Sequence, residues 1–140
     1  MTLDADVVRG RCQEIEQSLQ RLERIRAAGR QDFLQNADTR DIACYRLLLA
    51  IEAALALCYH VSARRLRSVP EDYAACFETM QGVGIIPADL SARLQRMARF
   101  RNLLVHVYWT VDHSRVFDVI EHDLNDLRQF SQAVAALVLS

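Results

Sequence analysis

The amino-acid sequence predicts an all-α protein, a helical bundle with up-and-down connections. Apolar residues recur at steps of three and four over most of the chain, and no segment shows the alternation of a half-buried strand. The four glycines and two prolines fall mainly at the ends of these periodic segments. Because 140 residues is the size of one domain, we expect a single domain over residues 1–140 with about five helices around one core.

The first two predicted helices are the longest apolar segments. The first covers residues 4–28, where a narrow apolar seam ends at Gly29. Such a seam serves equally for packing inside the domain or against a helix of a second subunit. The second helix is expected to begin at a cap on Asp38 or Thr39 and to continue to about Leu66.

The last three predicted helices follow turn signals. A short third helix begins at Pro70 and ends at the glycines near residue 83, and the fourth begins after Pro87. Asp112 is a candidate cap for the fifth helix, which is expected over residues 115–139.

The net charge of −1 argues against a protein that coats nucleic acid by bulk charge. All 17 basic residues are arginine, however, and Arg93, Arg96, Arg99 and Arg101 crowd together. Arginine suits bidentate phosphate contacts, so Arg96 and Arg99 are candidate RNA-binding residues. The alternative is an ordinary solvated helix face.

The cysteines and the N-terminus bear on the compartment. Cys12, Cys44, Cys58 and Cys76 are widely spaced and lie on or beside apolar stripes, which predicts buried free thiols and a reducing, cytosolic setting. The N-terminus shows no signal-peptide pattern. Residues 47–63 are strongly apolar but too short for a membrane span, so we expect a core helix and no membrane association.

Glu52 is the only formal charge between residues 46 and 64, and it stands among apolar residues. A buried carboxylate needs a partner, because an unpaired buried charge costs several kcal/mol. Arg101 is the natural candidate, since it interrupts an apolar stripe of the fourth helix. The alternative is that Glu52 reaches solvent along a thin polar edge. His60 is interpreted as a structural histidine.

Residues 99–109 combine helical patterning with groups that can do chemistry. Asn102 and His106 are four residues apart and share a helix face, whereas Arg101 and His106 diverge by about 140°. The two side chains could reach one atom only in one of three ways. The long arginine could wrap round the helix, the helix could end before His106, or a second copy of the chain could contribute one of the two residues.

These residue types are those needed for RNA cleavage without a metal. A histidine exchanges protons near neutral pH, and an arginine neutralises a phosphate whose charge grows in the transition state. The four histidines form no ligand-spaced cluster with acids or cysteines, so no metal site is predicted. Spacing alone does not exclude that Arg101 and His106 have purely structural roles.

The segment R-N-L-L-V-H-V-Y at residues 101–108 resembles the R-N-x-x-x-H-x-Y element of the HepT-like toxins, a branch of the HEPN superfamily. The similarity extends over nearly the whole chain. It includes the I-E-A element around Glu52, the positions of Pro70, Tyr73 and Phe77, and the approach to the motif at residues 84–87.

The resemblance implies a homodimeric, metal-independent ribonuclease toxin that acts on RNA, with transfer RNA as one expectation. Arg101 and His106 would be catalytic, with Asn102 supporting their placement. A supporting role for Glu52 is our hypothesis from its apolar surroundings and not from the resemblance. It further implies a partner, a minimal nucleotidyltransferase antitoxin that transfers AMP from ATP to Tyr108. The toxin itself would need no cofactor. The rival interpretation is a non-catalytic helical dimer that binds a nucleotidyltransferase or a nucleotide.

Overall fold

The computed structural model describes residues 2–106, of His106 the backbone only, and residues 111–139. All regular structure in these ranges is helical, which confirms the all-α prediction. The helices are α1 (Ala5–Ala28), α2 (Arg30–Gln35), α3 (Ala37–Arg64), α4 (Tyr73–Gly82), α5 (Ala88–His106), α6 (His113–His122) and α7 (Leu124–Leu139).

Helices α1 and α3 pack against each other in opposite directions. The Asp4 carboxylate caps α1 by accepting hydrogen bonds from the N–H groups of Asp6 and Val7. The Asp4 N–H donates to Nε2 of His60, 3.0 Å away near the end of α3. His60 therefore has the predicted structural role, and burial, followed by the charge of Arg64, lowers its pKa.

Helix α3 lies at the centre of the bundle, and α1, α4, α5 and α7 pack around it. Its small and apolar residues, such as Ala50, Ala54 and Leu57, are buried. Phe77 of α4 and Phe130 of α7 meet edge to face with ring centroids 5.4 Å apart. Helices α3, α4 and α5 also pack against one another, which fixes α3 and α4 relative to Arg101 on α5.

The helix count and one cap were predicted wrongly. Residues 30–35 form the additional helix α2, and Asn36, not Asp38 or Thr39, caps α3 by accepting from the Thr39 N–H at 3.2 Å. The expected last helix is divided at Asp123 into α6 and α7. The side chain of Asn36 sets the start of α3, whereas the break at Asp123 involves backbone hydrogen bonds from the Asp123 N–H to Val119 O and from the Asp126 N–H to Asp123 O. Apolar periodicity reports neither.

Two other boundaries differ in detail. The third predicted helix, α4, begins at Tyr73 under a cap from Asp72 and not at Pro70. The predicted cap at Asp112 is confirmed, because its carboxylate accepts from the N–H groups of Ser114 and Arg115.

The prediction that all four cysteines are free thiols is wrong for two of them. Cys58 of α3 and Cys76 of α4 are joined by a disulfide, with their Cα atoms 6.2 Å apart, whereas Cys12 and Cys44 are free thiols. Packing of α4 on α3 brings together two residues separated by 18 positions, and that contact could not be read from sequence spacing. The cytosolic location stays a prediction.

By length and composition, α3 could cross a membrane, since its most apolar window has a mean hydropathy of 1.7. Half of that window is buried inside the protein, however, as expected of a core helix. This burial agrees with the prediction for residues 47–63.

Candidate active site around Arg101

Arg101 lies on α5 where that helix faces α3. Its Nε donates a hydrogen bond to Oε1 of Glu52, so the predicted ion pair between these residues is confirmed. The Arg101 side chain is 20% exposed and that of Glu52 41%. Nη1 of Arg101 donates to Oδ1 of Asn102 at 3.2 Å. The structure thus brings together three of the predicted site residues.

The surrounding sequence explains why an arginine lies in this position. Leu90, Leu94 and Met97 precede it on one stripe of α5 and are buried in the core. Arg101 continues that stripe, so its aliphatic stem packs inward while the guanidinium group reaches Glu52. Burial of the stem and the ion pair together limit the conformations of the side chain.

Tyr73 is a neighbour of Arg101 that the sequence did not indicate. The Arg101 guanidinium carbon lies 5.8 Å from the centre of the Tyr73 ring, and Tyr73 meets Tyr59 edge to face at 5.5 Å. Burial, followed by the nearby Tyr73 and Asp72, raises the pKa of Tyr59. The family resemblance includes the position of Tyr73, but it did not indicate that the Tyr73 ring lies beside a cation.

The guanidinium group of Arg101 keeps unused donors. It carries five N–H groups. Nε is bound to Glu52 and Nη1 to Asn102, while Nη2 has no acceptor among the residues that the structure describes. The group is therefore oriented by two neighbours and still able to donate to a phosphate oxygen.

The other motif residues are placed less completely. Helix α5 continues through His106, so the predicted divergence of about 140° from Arg101 applies and the helix does not end early. The His106 side chain and Tyr108, with residues 107–110, lie outside the described residues. Two explanations for convergence remain, an extended arginine or a second copy of the chain.

The crowd of four arginines divides into groups with different partners. Arg93 is bound to the buried Asp126 at 2.8 Å and to Asp89 at 3.2 Å, which makes it a structural residue. Arg96 and Arg99 are exposed and form no ion pair within 4 Å in the described part of the chain, although Arg96 and Asp123 border the same cavity. Arg96 borders a cavity of about 310 Å³ between α5 and α6, together with Arg115, which sequence reasoning had not selected.

No three His, Cys, Asp or Glu side chains among the described residues are grouped so as to hold a metal ion. Catalysis without a metal stays a prediction.

The fold and this site define a class of protein. The chain belongs to the ribonuclease HepT-like family, whose model matches residues 15–134. This confirms the family predicted from the motif and, with it, the ribonuclease class.

Individual proteins that resemble this chain are consistent with the family assignment. The chain is 24% identical over 131 residues to the mRNA nuclease HepT of Shewanella oneidensis, covering 94% of this chain and 98% of the relative. The fold matches a tri-AMPylated Shewanella oneidensis HEPN toxin in complex with an MNT antitoxin, with a TM-score of 0.84, 24% identity, and 94% and 98% of the two chains covered. It also matches a toxin–antitoxin structure with AMP-PNP, with a TM-score of 0.82, 23% identity, and 92% and 98% coverage.

Proposed function

We propose that this protein is the toxin of a toxin–antitoxin pair, a dimeric endoribonuclease that cleaves RNA without a metal. The observation that carries the proposal is the state of Arg101 in a ribonuclease family. Its guanidinium group is held on two sides by Glu52 and Asn102, and its Nη2 is free for a phosphate among the described residues. The name of the Shewanella relative favours messenger RNA as the substrate.

The reaction uses the RNA's own 2′-hydroxyl as the nucleophile. The 2′-oxygen forms a bond to the adjacent phosphorus and the bond from phosphorus to the 5′-oxygen breaks, which leaves a 2′,3′-cyclic phosphate and a 5′-hydroxyl. One imidazole, that of His106, takes the 2′-proton or supplies the proton that the 5′-oxygen needs. Arg101 stabilises the charge that develops on the phosphate oxygens.

A second copy of the chain relieves the geometric restriction on α5. The positions of Arg101 and His106 on α5 diverge by about 140° around the helix axis, but a two-fold interface presents each residue twice. On α3, Ile42, Leu49 and Ala56 recur at seven-residue steps next to the face that carries Glu52, and Ile42 is 45% exposed. This apolar stripe beside the site supports a homodimer whose cleft lies along the interface.

Regulation is proposed at Tyr108. A nucleotidyltransferase antitoxin would transfer AMP from ATP, with the phenolic oxygen bonding to the α-phosphorus while pyrophosphate leaves. The structural relative with tri-AMPylation and a bound MNT antitoxin supports this chemistry. Added bulk and negative charge two residues beyond His106 would exclude an RNA phosphate by steric hindrance and repulsion.

Cleavage of a labelled RNA in the presence of EDTA tests the catalytic proposal. We expect the wild-type protein to release products with 2′,3′-cyclic phosphate ends and His106→Ala to lose at least about 100-fold in rate. His122→Ala is the matched control, because His122 is exposed and its partner is Glu121 on the surface. Equal cleavage by wild type and His106→Ala would contradict the catalytic role of His106, whereas equal toxicity of the two proteins would favour the non-catalytic interaction module.

Intact mass after incubation with the antitoxin and ATP tests regulation. We expect the mass to increase by one or more AMP groups in the wild type and not in Tyr108→Phe. A persistent increase in Tyr108→Phe would place the acceptor elsewhere.

A further inference from the structure

A group of arginines lies on α1 and α3, separate from the residues that contact Arg101. Arg21 and Arg24 of α1 and Arg46 of α3 line a cavity of about 180 Å³ together with Gln17 and Gln20. We name these five residues the arginine pocket. None of its arginines forms an ion pair with a carboxylate in the described part of the chain.

The other arginines of α1 show how unusual this is. Arg9, Arg11 and Arg26 each have an acid three residues away on the same helix, at 2.9, 3.1 and 3.4 Å. In the arginine pocket three like charges instead share one cavity, where they repel one another until an anion binds. The five side chains supply guanidinium and amide donors that suit phosphate oxygens.

We propose that the arginine pocket is a second phosphate-binding subsite for the RNA strand that is cleaved at Arg101, an inference that rests on the proposed ribonuclease function. Arg46 and Glu52 are on the same helix, six residues or about 9 Å apart along its axis. The two side chains project about 120° apart around the axis of α3, so a strand of several nucleotides must pass partly around this helix to contact both places.

An aromatic side chain beside the arginine pocket favours RNA over an acidic protein as the ligand. The Tyr45 side chain is 59% exposed in the single chain, and its ring centre lies 5.8 Å from the Arg46 guanidinium carbon. Tyr45 shares a face of α3 with Ile42 and Leu49, so its ring borders the proposed dimer interface. Basic groups with an exposed aromatic ring are typical of surfaces that bind single-stranded RNA, where the ring stacks on a base and the cations contact the backbone.

The test compares two triple variants. Arg21→Gln, Arg24→Gln and Arg46→Gln remove the charges of the arginine pocket. Arg9→Gln, Arg11→Gln and Arg65→Gln form the control, because they remove equal charge from α1 and from the C-cap of α3, outside the pocket.

The probe is a 2′-O-methyl RNA of about twelve nucleotides, which the protein cannot cleave, measured at several salt concentrations. Loss of three phosphate contacts predicts that the slope of log affinity against log salt becomes shallower by about 2 in the pocket variant. We expect the affinity to fall at least about 10-fold there, and the control to change less than about twofold. Cleavage of an oligonucleotide about three nucleotides long should be unchanged, since it does not reach the pocket.

The outcomes separate this proposal from the ribonuclease proposal. If the wild type cleaves RNA and both triple variants share one salt slope, the subsite is wrong and the ribonuclease function stands. If the wild type cleaves no RNA, the difference in slope for the uncleavable probe still decides the subsite. Competition by polyglutamate as effective as by RNA would overturn the assignment to RNA. Should the pocket variant fail to fold, Arg24→Gln alone should make the slope of log affinity against log salt shallower by about 0.7.

Discussion

Arg101 and Arg128 are both bound by glutamates of another helix, yet the two regions are built differently. Arg128 of α7 makes four hydrogen bonds to Glu16 and Glu23 of α1, at 2.8 to 3.4 Å, using all three of its nitrogens. Those two glutamates raise the pKa of Arg128, with the bond from Glu23 as the largest cause. Arg101 has one glutamate and one asparagine and keeps Nη2 unused within the described residues.

The difference separates a structural arginine from a functional one. A guanidinium group whose nitrogens are all occupied ties two helices together and has little capacity for a ligand. A guanidinium group that is oriented but not saturated can take a phosphate without first breaking its own contacts. Four substitutions or titrations test this distinction, and they follow from the largest expected effect to the smallest.

Arg101→Gln should abolish most activity and leave stability nearly intact. Loss of the charge that stabilises the transition state predicts a fall in kcat of about 10²- to 10³-fold. Glu52 is partly exposed and can be hydrated, so we expect Tm to change little. RNA cleavage and thermal unfolding are the measurements, with Arg65→Gln, an exposed arginine directly after α3, as the control. A large loss of Tm would mean that Arg101 resembles Arg128.

Arg128→Met should lower stability and leave activity nearly intact. The change leaves Glu16 and Glu23 without their shared cation and should lower the free energy of unfolding by about 1–2 kcal/mol, because the network is partly exposed. Chemical denaturation measures the loss. We expect kcat to stay within about twofold of wild type, and a strong loss of activity in folded protein would contradict the structural assignment.

Glu52→Gln tests whether orientation of Arg101 matters. The amide oxygen still accepts a hydrogen bond from Nε but no longer attracts the cation, so we expect kcat to fall about 10-fold with Tm nearly unchanged. Glu71→Gln, an exposed acid in the loop before α4, is the control. An unaltered kcat in Glu52→Gln would show that the carboxylate forms a structural ion pair and is not needed to orient Arg101 for catalysis.

Acid titration gives the smallest effect. The hydrogen bond from Arg128 lowers the pKa of Glu23 below its ordinary value of 4.5. The unfolded chain therefore takes up this proton first as pH falls, and the stabilisation is complete above about pH 4.5 and lost below it. Between pH 6 and 3, the free energy of unfolding should decrease less in Arg128→Met than in wild type. Parallel curves would exclude the Glu23 contribution.

Much of the fold could be predicted because apolar periodicity records burial directly. The seam of the first helix matches α1, and the cap at Asp112 is present. Periodicity could not reveal the break at Asp123 or the cap at Asn36, since both depend on local hydrogen bonds. The disulfide between Cys58 and Cys76 depends on how two helices pack, which spacing does not encode.

The site could be predicted in part for a similar reason. A charge in an apolar stripe requires a partner, and that requirement identified Glu52 and Arg101 as a pair. The requirement does not apply to an exposed charge, so the arginine pocket had no signal in the sequence. The roles of His106 and Tyr108 stay predictions from the family motif.

Helix α3 has one further consequence, for the tolerance of this chain to insertions. Arg46 and Glu52 keep their relative direction only because the helix between them has no break. One extra residue between them would turn everything beyond it by about 100°, separating Glu52 from Arg101 or Arg46 from α1. The same insertion among residues 65–71, which are not helical, leaves both directions unchanged. Length variation should therefore be accommodated in that loop and excluded from the middle of α3.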